Sequence, residues 1–112
     1  MKQSLKNIDY LFSPRTVAVI GASNNPDKWG FGIMSRMVRK KTQFEVYPIN
    51  PKEKEIHGRT AYARLTDVPG EVDFAVIVIP PEYTAAAMQD CVAKKVKSVL
   101  IITAGFKETG YK

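Results

Sequence analysis

The run Val17-Ala18-Val19-Ile20-Gly21-Ala22-Ser23-Asn24 joins an apolar stretch to a small-residue turn, and Gly30 and Gly32 follow where a helix is expected to open. A strand that ends in glycine and hands over to a helix N-terminus gathers free backbone N–H groups and the positive end of a helix dipole at one spot. That spot suits a phosphate, so the chemistry to explain is nucleotide or pyrophosphate binding. Other reactive side chains point to little. Ser23 has no visible acid–base partner for a triad and reads as a turn or phosphate hydrogen bond. His57, in Glu55-Ile56-His57-Gly58, has no neighbouring ligands and reads as a solvated loop residue. Cys91 falls on an inward helical face and reads as a packed thiol.

The elements that must position the turn alternate strand and helix. Residues 16–21 make a short apolar strand. Residues 31–41 read as a helix, with Ile33, Met34, Met37 and Val38 on one face. Residues 44–49 make a second strand, in which Pro48 predicts local loss of pairing. Residues 50–71 read mostly as loop, with a short helix around Tyr62–Asp67. Residues 72–79 are a third strand, ended by Pro80-Pro81, and Pro81 suits the first turn of a helix that carries Ala85, Met88, Cys91 and Val92 inward. Residues 98–103 form a fourth strand. Continuous Val/Ile/Leu runs suit strands buried on both faces, hence a parallel sheet with helical crossovers. The expected fold is α/β, a Rossmann-like, doubly wound parallel sheet in three αβα layers. The fourth strand is apolar on both sides and only residues 104–112 follow it. An open apolar edge invites association, so truncation after that strand is preferred over a face covered by a partner.

Ligands of open parallel sheets sit beyond the carboxyl ends of the strands. Those exits are Gly21-Ala22-Ser23-Asn24, Asn50-Pro51-Lys52, Pro80-Pro81 and Thr103-Ala104-Gly105. NAD fits poorly. The turn lacks G-x-G-x-x-G, and the second exit, 29 positions after Gly21, carries Asn50-Pro51-Lys52 with no acid before Glu53. A cation where a carboxylate would hold ribose hydroxyls favours a ribose phosphate, which NADP and coenzyme A both carry.

Composition narrows the classes. One cysteine excludes an intrachain disulfide and a cysteine metal cluster. No apolar run reaches the roughly 18 residues of a membrane span, and the polar N-terminus is no signal peptide, so a cytoplasmic protein is expected. The 17 Lys plus Arg against 11 Asp plus Glu raise nucleic-acid binding. The densest run, Arg39-Lys40-Lys41, complements the C-terminal dipole of the first helix, and no aromatic residues interleave as a stacking platform. An anionic small molecule suits the charge at least as well.

Five ordered blocks carry a resemblance. They are Leu11 to Ser23, Val46 to Lys52, Glu55 to Gly58, Val72 to Pro80 and Ala104 to Glu108. Over residues 8–110 the chain resembles the N-terminal CoA-binding domain of NDP-forming acyl-CoA synthetases, the family of ADP-forming acetyl-CoA synthetase and the succinyl-CoA synthetase alpha subunit. The resemblance implies that residues 1–112 are a Rossmann-like domain holding coenzyme A or acyl-CoA. Gly21, Ala22, Ser23, Asn24 and Gly30 would lie by the phosphates, with Asn50, Pro51 and Lys52 by the nucleotide end. Pro80, Pro81, Thr103, Ala104 and Gly105 would line the remainder. Lys52 and Lys54 both remain open for the ribose phosphate, and Trp29 either packs on the ligand or closes the turn.

The resemblance further implies partners: the catalytic-histidine and ATP-grasp domains or subunits of the ADP-forming ligase. Neither is in this sequence, and His57 does not match the family's catalytic motif, so no catalysis is expected of the fragment itself. Three other readings stay open: a free-standing CoA-binding regulator or carrier, an NADP-binding oxidoreductase domain, and a nucleic-acid binder.

Overall fold

The computed structural model describes residues 15–39 and 44–102. In chain order these form β1 (Thr16–Ile20), α1 (Trp29–Arg39), β2 (Glu45–Ile49), a small hairpin β3 (Glu55–Ile56) and β4 (Arg59–Thr60), and a 3-10 turn Leu65–Asp67. Then come β5 (Phe74–Ile77), a 3-10 turn Pro81–Tyr83 leading into α2 (Thr84–Lys94), and β6 (Ser98–Ile101). Strands β1, β2, β5 and β6 form one parallel sheet in the order β2-β1-β5-β6. The chain moves outward from β1 to β2, then returns to the other side of β1 as β5. Strand order therefore reverses between β1 and β5, which opens a crevice at their carboxyl ends.

Alternation along β1 divides the core into two layers. Ala18 and Ile20 face α2 and pack with Ile49, Leu65, Val68, Ala75, Ile77, Ala87 and Cys91. Val17 and Val19 face α1 and pack with Met34, Val46, Ile56, Val76 and Val78. Both faces of β1 are covered, as the unbroken apolar run implied, and the three-layer doubly wound expectation holds. Helix α1 begins at Trp29, two residues before the expected start, and seats Met34 fully buried, with Ile33, Met37 and Val38 packed around it.

Several local expectations are corrected. Pro48 does not interrupt pairing with β1, since it sits in register opposite Val19. Its carbonyl accepts from Tyr62 N at 3.0 Å on the outer side of β2, so the missing N–H falls on the sheet edge, where no ladder bond to β1 is lost. The inward face of α2 is Ala87, Met88 and Cys91, whereas Ala85 is exposed and Val92 is 74% exposed. The helix is rotated so that the small residues meet the sheet and the β-branched residue faces out. The segment read as loop contains the β3–β4 hairpin. His57 (φ 52°) and Gly58 (φ 76°) both have positive φ, the pattern of a two-residue type I′ turn. His57 is half-buried rather than solvated. Its ring lies 4.9 Å from that of Phe31 and its Nε2 is 3.4 Å from Ser35 Oγ, which docks the hairpin on α1.

Buried Asp73 joins three strands at their amino ends. Its Oδ2 accepts from Arg15 N at 2.9 Å, its N donates to Thr16 Oγ1 at 2.9 Å, and its carbonyl accepts from Lys97 N and Ser98 N. An Asp73→Ala chain should lose about 2 kcal/mol of stability in urea unfolding, the usual cost of leaving a donor, here the Arg15 N–H, without its charged acceptor.

Cys91 is the packed thiol expected, 3% exposed. Burial, with a smaller push from Asp90, raises its pKa to about 11. The native state thus favours the protonated thiol more than the unfolded chain does, where ionisation falls near ~8.5. That contribution to stability is whole below the unfolded value and is lost as pH climbs toward about 11. A thiol-reagent assay at about pH 8 should therefore find Cys91 nearly inert in the native protein and fast in urea. Among the described residues, no helix is long and apolar enough to cross a membrane.

Candidate functional site

The exit of β1 is built by two close backbone approaches. Gly21 has φ +99°, and a Cβ there would stand 2.2 Å from Val78 O, just past β5. A Cβ on Gly30 would stand 1.8 Å from Gly21 O. Only glycine at both positions lets the first turn of α1 press onto the β1 exit. The first turn of α1, the positive end of its dipole, is thereby held against the β1 exit, and no acidic side chain stands in that first turn to offset it.

Asn50 ties the second exit to the first. Its Nδ2 donates to Ala22 O at 2.9 Å, its Oδ1 accepts from Lys52 N at 2.8 Å, and its backbone N donates to Tyr62 O at 2.9 Å. Both ends of the amide are spent on the loops themselves, so Asn50 holds the β1 and β2 exits together and shapes the Pro51-Lys52 turn. Asn24 braces the same region from the other side, donating to Glu55 O at 2.8 Å and to Glu53 Oε1 at 3.2 Å.

A cleft of about 710 Å³ opens where these exits meet α2. Gly21, Asn50, Pro51 and Lys52 form one side of it; Ile20, Ile49, Leu65 and Ile79 make an apolar floor. Ala86, Ala87, Gln89 and Asp90 of α2 line it as well, with Tyr83 of the preceding turn and Ala63 and Arg64. The structure thus brings Gly21, Asn50, Pro51 and Lys52 to one cavity. Ala22 is buried behind it, and Gly30 is the contact beneath the turn. Ser23 Oγ accepts from Asn25 N at 2.9 Å, a turn bond. Pro80 and Pro81 follow Ile79 past the β5 exit, outside the cleft lining. Lys54 is exposed and is not among the cleft residues, whereas Lys52 is. Thr103, Ala104 and Gly105, like Lys40 and Lys41, lie outside the described residues.

Sequence reasoning missed Arg64 and Asp90. The Arg64 guanidinium donates from Nη2 to Asp90 Oδ1 at 2.6 Å and from Nε to Oδ2 at 3.3 Å, a side-on pair. The bond to Asp90 and its charge push the Arg64 pKa upward. The one usable signal was helical phase. With Ala87 and Cys91 inward, Asp90 falls on the flank of α2 that overlooks the strand exits.

On the other face of the sheet a second cleft of about 510 Å³ runs from the start of α1 to the end of β6, lined by Lys28, Trp29, Arg36 and Ile102 among others. Trp29 is 39% exposed there, so it lines a groove instead of plugging the Gly21 turn.

Comparison with known proteins agrees with this geometry. The alpha subunit of ADP-forming acetate–CoA ligase II from Pyrococcus furiosus is 46% identical over 103 residues, 92% of this chain and 22% of that subunit. The dinucleotide-forming acetyl-coenzyme A synthetase 1 of Ca. Korarchaeum cryptofilum, solved with phosphate and ADP, matches with a TM-score of 0.84 at 39% identity, covering 94% of this chain and 23% of that one. A conserved hypothetical protein of Pyrococcus furiosus matches with a TM-score of 0.73 at 33% identity, over 85% of this chain and 81% of its own. The chain spans less than a quarter of the length of the two synthetase relatives. The family pattern described as the CoA binding domain runs over residues 15–112, from the start of β1 through every strand exit named above, and the chain belongs to that family.

Proposed function

We propose that the domain binds coenzyme A along the cleft at the carboxyl edge of its sheet, as the CoA-holding part of an ADP-forming acyl-CoA synthetase. The observation that carries this reading is the junction of the Gly21 turn and the Lys52 turn in one cavity, held by Asn50. In the proposed binding mode, N–H groups of the Gly21 turn take the pyrophosphate at the β1 exit, and Lys52 meets the ribose 3′-phosphate. The adenosine lies against the apolar floor, and the thiol end extends away toward other parts of the synthetase. The chain positions the ligand and supplies no group for the acyl transfer. That transfer falls to catalytic-histidine and ATP-grasp domains or subunits of the synthetase. We place the protein in the cytoplasm on the same reading.

Calorimetric titration with CoA, dephospho-CoA and NADP tests it. CoA should bind about tenfold more tightly than dephospho-CoA, the usual worth of a charge-assisted contact, and affinity should fall as salt rises. Binding of NADP alone would overturn the assignment and favour an oxidoreductase domain. The likeness to a small Pyrococcus furiosus protein over 81% of its length supports a second reading, a stand-alone CoA binder. The two readings separate on reconstitution. Acyl-CoA formation from acid, CoA and ATP, once the remaining synthetase domains are supplied, favours the first.

A further inference from the structure

Two groups at the α2 end of the cleft have no place in the binding mode so far. Asp90 is a carboxylate whose side chain is only 16% exposed, and Arg64, at 66% exposure, is its ion-pair partner. Both border the same cavity as Gly21 and Lys52. A simple surface pair would need neither the burial of one member nor the side-on geometry that fixes the carboxylate plane. Here Nε and Nη2 of Arg64 each take one oxygen of Asp90. Each carboxylate oxygen has two acceptor sites, so one remains on each after the arginine is satisfied. Asp90 is thus an oriented acceptor on the rim of a largely apolar cleft.

The groups that share the cleft say what would meet it. The phosphate-suited turn of Gly21 and the cation of Lys52 stand at the strand exits. Ile49, Leu65, Ile79 and Ala87 line the same cleft, an apolar surface that suits a flat aromatic base, and Asp90 borders it from α2. A purine on that surface can present its six-position edge to α2. Adenine carries an exocyclic amine at that position, a hydrogen-bond donor.

We propose that Asp90 is a specificity-determining residue that accepts a hydrogen bond from the exocyclic amine of the adenine base, with Arg64 as the positioning residue that holds its carboxylate in the plane required. The proposal rests on the CoA reading and adds the recognition of the base to it. It also assigns opposite ends of the nucleotide to opposite charges: ammonium for the ribose phosphate, carboxylate for the amine.

The probes are adenosine 3′,5′-bisphosphate and the 3′,5′-bisphosphate of purine riboside, which lacks only the amine. Each is titrated calorimetrically against the wild-type chain and against Asp90→Ala, beside CoA itself. The wild type should prefer the adenosine compound about tenfold, and Asp90→Ala should bind the two within about twofold, a double-mutant cycle in which general effects on the fold cancel. Equal binding of both compounds to the wild type overturns the role of Asp90 and leaves CoA binding standing. A tenfold preference that survives in Asp90→Ala also overturns it. Failure of CoA and both bisphosphates to bind overturns the CoA reading, and this proposal with it.

Discussion

Gly30→Ala is expected to cost the domain about 4 kcal/mol, near the upper end for a single substitution, and to abolish CoA binding with it. The added Cβ would stand 1.8 Å from Gly21 O, a backbone atom that cannot rotate away. Either α1 lifts off the sheet and unseats fully buried Met34, or the Gly21 turn shifts. That turn is itself held at φ +99°, with Val78 O behind it, so it has nowhere to go. Against a typical stability of about 5–15 kcal/mol, the variant would be marginal. Gly32→Ala, one half-turn further along the same helix, is the control. Nothing lies within 4 Å of its Cβ position, and alanine in a helix interior gains roughly 0.5–1 kcal/mol over glycine. Urea unfolding of both variants reads the contrast. Equal stability would mean that the helix does not press on the strand exit as described.

Lys52→Glu should weaken CoA about a hundredfold at low salt, the scale of putting like charges together in a binding site. Dephospho-CoA, which lacks the phosphate the lysine would meet, should lose only a few-fold. Because Lys52 is exposed, the difference should shrink as salt screens it. Lys54→Glu should change both ligands little and equally, since Lys54 does not border the cleft. Calorimetry on the two variants with the two ligands decides between the lysines. A larger loss in Lys54→Glu would move the ribose phosphate out of the cavity described here.

The parallel sheet was legible because strands covered on both sides must be apolar at every position, and that pattern is hard to produce otherwise. The runs 16–21 and 72–79 read as such, although the strand in the second is shorter, Phe74–Ile77, and Pro81, expected in the first turn of the next helix, opens a 3-10 turn that leads into α2 at Thr84. What escaped notice had weaker local signals. The β3–β4 hairpin has strands of two residues each, too short for any periodicity. Its one cue, a residue before glycine at a turn, is common in loops. The phase of α2 was misjudged because Ala85 and Val92 are apolar yet face outward, and apolar residues on a helix surface carry no label. That misjudgement hid Asp90. Arg64 was hidden for a different reason: its partner is 26 residues away, and only the packing of α2 over the sheet brings the two together. The Gly21 turn, the Lys52 turn and the sheet between them needed no such long-range information.

The Asn50 tie couples an otherwise peripheral strand to whatever fills the cleft. Among the described residues strand β2 is the outermost on its side of the sheet, and its carboxyl end depends on an amide that also shapes the Pro51-Lys52 turn of the cleft. Occupancy should therefore be felt as slowed hydrogen exchange at the backbone amides of that rim, well before any change registers in the central strands, and CoA should raise the melting temperature by an amount set by its concentration relative to its dissociation constant.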